Sequence, residues 1–457
     1  MNQIPFRHRK LARPTAASTG LVIAAILSFP SATETQANGV FRNGVGARSM
    51  SLGGADSTLS DSATAAITAN PAALSDFNSI ALDLGVTAAF PSGEFTNAAN
   101  PSGSDLDASG VFPDLAVVFP VTEKFGLGIG ISPDTMLTDE WRYVDPPGGL
   151  SGTTSYGLVD NQSQILVIRS AFGAGYAITE KLSIGASVGL LYNNNQLNTA
   201  YVFQSNPTLA GFKTLVDLDT DGFGVDGEFG VLYRPTTNLH FAVTYKTSST
   251  VKANGTITGN ASAELTALGG PFAGVQPDFA YDAEVENTFP QMVTVGAGWQ
   301  INSEWRVLGQ VDWINWSDAF DSLPLHLTNG NNADLNAFLG SNSIDDTVPL
   351  NWKDQFVYRA GVEFTPGEHW SFRAGYSFGE SPVPSGTLTP LTAAIMEQTV
   401  GLGVGYRWGR YHVDAAWQWD LPTTAYVGTA DLLDGEYSNS SVEVSVQWVG
   451  LTAGMSF

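Results

Sequence analysis

Cysteine is absent from the 457 residues. The chain therefore has no disulfide framework, thiol nucleophile or Cys-ligated zinc. Charge is scarce as well: Asp, Glu, Lys and Arg make up 14%, against about 25% in soluble proteins. Bases are the rarer kind, 20 Lys and Arg against 44 Asp and Glu, for a formal net charge of -24. A general nucleic-acid binder needs a basic face to neutralise phosphates, so that class is excluded. Long apolar runs are missing too, since no stretch beyond Leu27 approaches the ~18 residues of a transmembrane helix. Length alone would suggest about three soluble domains, and the charge deficit argues against that.

What is present begins with an export signal over residues 1–37. Arg7, Arg9, Lys10 and Arg13 form a basic start, Leu21 to Leu27 an apolar centre, and Thr35-Gln36-Ala37 a small-residue cleavage site. Its removal leaves the chain still more acidic.

The rest is written in alternation. Leu127, Ile129 and Ile131 oppose Gly126, Gly128 and Gly130. Leu402, Val404, Tyr406 and Trp408 oppose Gly401, Gly403, Gly405 and Arg407, and Phe372, Ala374, Tyr376 and Phe378 oppose Arg373, Gly375 and Ser377. Apolar side chains on one face and small or polar ones on the other predict a lipid-facing β-barrel wall. A soluble sandwich would also alternate but would carry more outward charge. About fourteen such segments occur over residues 79–457. They begin near Ser79, Val111, Lys124, Gln162, Lys181, Val216, Asn238, Ala280, Glu304, Asn351, His369, Met396, Arg410 and Ser441. Short turns alternate with long loops centred on Asn97, Gly148, Pro207, Gly269, Asn332, Pro384 and Leu432. The expected fold is all-β, a transmembrane antiparallel barrel with both barrel ends on the periplasmic side. Trp299, Trp305, Trp316, Trp352, Trp370, Trp408, Trp419 and Trp448 fall near strand ends, as aromatic girdles would; plain core packing is the competing reading. In the last strand Val442, Val444, Val446 and Trp448 set one phase, and Val449, Leu451, Met455 and Phe457 the other. A bulge near Trp448 would reconcile the two. The terminal Phe457 is like the signal read by the outer-membrane barrel assembly machinery.

Residues 38–78 do not alternate. They are rich in Gly, Ala and Ser, and are expected to fill the lumen as an N-terminal hatch rather than trail as a leader. Here the chain becomes recognisable. Val45-Gly46-Ala47-Arg48-Ser49-Met50, Gly53-Gly54-Ala55 and Asn70-Pro71-Ala72-Ala73-Leu74 resemble the hatch and NPA motif of the FadL family of outer-membrane transporters. Asp221–Gly224 with Gly230–Pro235, Thr288-Phe289-Pro290, Asp312–Ser317, Asn351–Asp354 and Arg373–Tyr376 resemble further family blocks in the same order.

The resemblance implies passive uptake of long-chain fatty acids or hydrocarbons. Ligand would enter a groove between outer loops, reach a lumenal site and leave sideways at a kinked third strand. Pro133 cannot donate to a ladder, so Pro133-Asp134 is the expected kink; a proline opening an outer loop is the alternative. Asn70, Pro71 and Ala72 are the expected gating turn. The groove is expected from Leu197, Tyr201, Phe203, Leu209, Phe212, Leu265, Leu268 and Phe272, apolar residues unusual in outer loops. Arg169, Lys246, Arg359 and Arg373, with Arg306 and Arg407, are lumen-facing candidates to hold a carboxylate, unless they only pair with acids such as Asp312 and Glu363. No carboxylate-binding residue is carried over from the family. The expected partners are the hydrophobic ligand, outer-membrane lipid and lipopolysaccharide, for a monomer in a Gram-negative outer membrane.

Asp217 to Glu228 fits the D-x-D-x-D-G-x5-E calcium-loop pattern, but Gly224 stands where an apolar residue belongs and the flanks read as strand. No metal or cofactor is expected. Histidines 240, 326, 369 and 412 adjoin no serine nucleophile motif, which argues against a hydrolase. A general porin, or a barrel serving in secretion or assembly, remains as an alternative.

Overall fold

The computed structural model describes residues 39–457 except Asp107 and Ala273. The export signal lies outside the described residues. Fourteen strands alternate up and down. They are β1 (Ala81–Thr96), β2 (Gly110–Thr122), β3 (Phe125–Val144), β4 (Leu158–Thr179), β5 (Leu182–Val202) and β6 (Lys213–Thr236). Four broken strands follow: β7 (Leu239–Lys246, Ser249–Asn260), β8 (Asp278–Phe289, Met292–Gln300), β9 (Trp305–Ile314, Ser322–Thr328) and β10 (Ile344–Pro349, Gln355–Phe364). The last are β11 (Trp370–Gly379), β12 (Gln398–Trp408), β13 (Tyr411–Val427) and β14 (Ser440–Ser456). β1 pairs with β14 from Ala81↔Ser456 to Thr96↔Ser441, which closes the barrel and removes its edges.

The alternation is what turns the wall inside out. Ile129, Ile131, Phe172, Phe229, Phe372, Leu402 and Leu451 are exposed on the outward face. The inward glycines are covered by residues 46–76. A Cβ at Gly128 or Gly130 would strike Leu74 or Ile67, and one at Gly296 or Gly403 would strike Ser57 or Ser51. That inner segment folds as α1 (Gly46–Ser51), α2 (Ala63–Thr68) and a 3-10 turn, Pro71–Asp76.

The four breaks lie side by side. Met292 is paired with Lys246 and with Ile314, and Ile314 with Gln355, so the interruptions form one belt. Pro290 supplies one break and the short helix α4 (Trp316–Ala319) another. Within the belt Trp316 and Trp352 are 0% and 3% exposed, packed with Phe289, Phe320, Val40 and Leu137. The girdle expectation fails for these two tryptophans, because the chain leaves the wall where they occur. Trp299, Trp370 and Trp408 are exposed, as girdle residues would be.

In β14 no bulge occurs at Trp448, since pairing with β1 runs without a shift. The shift is in β13, between Asp420 and Thr423. Val442, Val444 and Val446 are buried inward against Phe95 and Tyr143, while Val449 and Leu451 are exposed outward. The apolar face changes because the surroundings change.

Candidate functional site

Three layers lie along the lumen. Uppermost is an apolar cavity of about 170 Å³ between the ends of β3, β5, β6 and β8 and the outer loops. Leu137, Leu197, Tyr201, Phe320, Trp352 and Leu391 contribute to its lining. Below it sits the aromatic belt, where Phe320 stacks on Trp352 at 4.7 Å and Trp316 meets Trp352 at 5.2 Å. Lowest is a charged chamber of about 110 Å³, lined by Phe41, Arg42, Pro133, Asp134, Arg169, Lys246, Asp312 and Arg359 among others.

The wall is incomplete beside that chamber. The β2–β3 ladder starts at Thr122↔Phe125 and stops at Leu115↔Ile131. Above it, Gly110 to Asp114 pair with β1 only. Pro133 and Pro113 stand just past the end of the ladder, each without an N–H to donate. On the other flank Pro133 pairs with Ile168 and Thr135 with Val167, leaving Asp134 as a bulge. The inner segment reaches this place: Phe41 bridges Thr135, and Met136 N donates to Val40 O at 3.0 Å. Lys246 pairs with Asp134 and lies 5.2 Å from the Phe41 ring centre.

Of the expected lumenal bases, all but Arg407 already have an acid. Arg169 donates to both Asp226 oxygens at 2.9 Å, with Glu228 at 3.7 Å. Arg359 meets Asp312 at 2.5 Å, and Arg373 meets Glu363 and Asp414 at 2.5 Å. Arg306 pairs with Asp61 at 3.3 Å, and Arg407 is exposed. On the inner segment Arg48 joins Glu363 at 2.9 Å and Asp61 at 3.1 Å. Burial opposes ionisation of Asp61, but Arg48 and Arg306 outweigh it and hold the carboxyl well below the usual range. Asp56 is pushed up to about 6 by burial, despite its bond from Ser49 and the nearby Arg359.

The groove residues divide. Leu197 and Tyr201 line the cavity. Phe203 and Leu209 are buried behind it, with Phe212 packed against them. Leu265 and Leu268 are half-buried on α3 (Ser262–Leu268), and Phe272 faces Phe338 at 6.4 Å, apart from that cluster. Asp346 pins the loop before Leu209, accepting from Tyr201 Oη at 2.6 Å and Ser205 N at 2.6 Å. Asn70 caps the 3-10 turn through Ala72 N at 3.0 Å. The calcium-like stretch is plain β6 strand, with Asp217, Asp219 and Asp221 outward and Asp226 and Glu228 inward. Carboxylates on opposite faces of a strand cannot enclose one ion.

Sequence reasoning missed the belt and one cation. Lys213 is 0% exposed and joins three outer loops, meeting Asp145 at 2.7 Å and Glu436 at 2.6 Å. Burial raises Asp145 and pushes Glu436 up to about 7, with Lys213 opposing both shifts. The signal for the belt was the loss of alternation at Asn315-Trp316 and Leu350-Asn351-Trp352; nothing local marked Lys213.

Residues 25–457 match the family described as outer membrane protein transport protein (OMPP1/FadL/TodX). The chain belongs to that family. The FadL/TodX assignment places it in the outer membrane as a transport protein rather than an enzyme. It is 23% identical to the long-chain fatty acid transport protein of Escherichia coli (strain K12) over 347 residues, 70% of this chain and 73% of that one. It resembles the solved Pseudomonas aeruginosa FadL homologue at TM-score 0.73 and 16% identity, covering 92% of this chain and 100% of the other. The Pseudomonas putida toluene transporter TodX matches at TM-score 0.70 and 21% identity, with 92% and 100% covered. At these identities the solved structures establish the barrel fold.

Proposed function

We propose that this FadL/TodX-family barrel takes up a hydrophobic small molecule by passive diffusion. The molecule enters the cavity between the outer loops, passes the aromatic belt and leaves sideways at the β2–β3 gap. Residues 39–42 occupy that exit, so their displacement gates it, and residues 38–78 act as the hatch that keeps the lumen shut to water. Asn70, Pro71 and Ala72 hold the hatch in place, and Pro133-Asp134 keeps the gap open. The barrel acts as a monomer, inserted by the assembly machinery among outer-membrane lipid and lipopolysaccharide. The observation that carries this reading is the apolar cavity of about 170 Å³ stacked above a belt of buried aromatics, an arrangement that binds greasy ligands. The related fatty acid and toluene transporters support the same class of cargo.

The test is a pair of measurements on the intact protein. Cells carrying it should accumulate hydrophobic compounds faster than empty-vector cells, and liposomes carrying it should not swell in sugar. Sugar-driven swelling without hydrophobic uptake would replace this reading with a porin.

A further inference from the structure

The lining of the outer cavity contains no Lys, Arg or His among the described residues. Its one carboxylate is Glu436. The charge around Glu436 is unbalanced. Lys213 is the single cation that meets it among the described residues, and Asp145 shares that cation. Two more acids reach the adjoining loop: Asp434 accepts from Gly149 N at 2.7 Å and Glu264 from Leu150 N at 2.7 Å. The second oxygen of Glu264 is buried with no hydrogen-bond partner. Two residues outward of the lining residue Leu137 on β3, and paired with the lining residue Ser163, inward Asp139 also has a buried carboxylate oxygen without a partner. Deeper in the lumen, Arg169, Lys246, Arg359 and Arg373 are all held by acids.

We infer that Glu436 is a specificity-determining residue that makes this cavity refuse carboxylates, so that the cargo is an uncharged hydrocarbon of about one aromatic ring. The inference rests on the uptake reading above. A carboxylate entering here would lose its water with no cation in the lining to replace it, since Lys213 is fully buried and already held by Glu436 and Asp145. It would also meet at close range a pair of acids that share that one cation, and both effects disfavour an anion in a poorly solvated site. An uncharged ring meets neither obstacle and gains from leaving water. Size agrees: an apolar cavity of about 150 Å³ is enough to bind benzene, and this one is about 170 Å³.

The experiment measures uptake near neutral pH by cells carrying the full chain, each rate corrected for empty-vector cells. The compounds are p-xylene, p-toluate, methyl p-toluate and laurate. p-Xylene and the methyl ester should enter about tenfold or more faster than p-toluate and laurate. In Glu436→Gln, checked for folding by heat-modifiable gel mobility, the xylene-to-toluate ratio should fall at least about threefold. The ester comparison needs no variant, so it stands even if that substitution disturbs the loops. Toluate or laurate entering as fast as xylene overturns the inference, as does an ester excluded like toluate, which would make shape the filter. Rates at the empty-vector level for all four compounds would instead sink the uptake reading itself.

Discussion

At the scale of single residues, the Asn70-Pro71-Ala72 turn shows why each position is occupied as it is. The Asn70 side chain accepts from Ala72 N at 3.0 Å and donates to Ser57 O at 2.9 Å and Val231 O at 3.3 Å. Pro71 opens the 3-10 turn where an N–H would have no partner. Ala72 and Ala73 are fully buried beside inward glycines such as Gly185, which leave no room for more. Asn70→Ala strands these groups, each costing about 1–3 kcal/mol. The assembled barrel should then become cleavable by protease within 39–78; resistance equal to the parent would contradict this role. Lys213 makes the opposite case, a charge whose removal leaves acids buried. Lys213→Met should cost about 3–5 kcal/mol and free the loop at 428–439, read as faster proteolysis there. Glu436 adds a pH dependence. Burial raises it to about 7, so the folded loop binds the proton more tightly than the unfolded chain does. Its stability is therefore greatest at low pH and is lost as pH rises through about 7. Proteolysis at 428–439, measured relative to Glu436→Gln as the protease control, should quicken between about pH 5 and pH 8.

At the scale of elements, the β2–β3 gap depends on two prolines. Pro113 and Pro133 each withhold a donor at the level where the ladder ends after Leu115↔Ile131. Restoring both donors in Pro113→Ala/Pro133→Ala lets pairing extend upward. Hydrophobic uptake should fall several-fold while thermal stability holds or rises by about 1 kcal/mol; unchanged uptake would show that cargo leaves elsewhere. The same strands mark what could be read beforehand. Regular strands such as β3 and β12 were legible because glycine inside and large apolar groups outside satisfy two different solvents at once. The register shift beside Asp134 was legible in Pro133, a residue type that withholds a donor from the ladder. The belt was not. At Trp316 and Trp352 the chain leaves the wall, and a tryptophan near a strand end has the same local sequence whether it faces headgroups or the lumen. The expected bulge at Trp448 failed for a related reason, since alternation reports which face is apolar and not whether lipid or packed loops make it so.

For the whole molecule, length, charge deficit and alternation were enough to specify a closed barrel, but the pairing of its lumenal charges was not legible. Arg169 with Asp226 and Arg373 with Asp414 bring together residues far apart in the chain, each across one intervening strand, and only the register of the ladders between them sets their distances. Those pairs bear on how the lumen stays shut. A barrel of this strand number is too wide for its own side chains to fill, in contrast to one of about eight strands. Its inward glycines widen it further. The space is taken by residues 46–76, tied to the wall by Arg48 to Glu363 at 2.9 Å and by Ala47 N to Thr452 Oγ1 at 2.9 Å. Removing residues 39–78 while keeping the export signal should leave the wall standing, because the ladder from β1 to β14 does not pass through that segment. It should also expose the ion pairs of the chamber to a continuous column of water. In planar bilayers the intact protein should then show no resolvable steps, and the shortened one stable ion conductance of the kind wide barrels carry. A shortened protein that folds yet stays silent would mean that the outer loops around Lys213, and not the inner segment, form the seal.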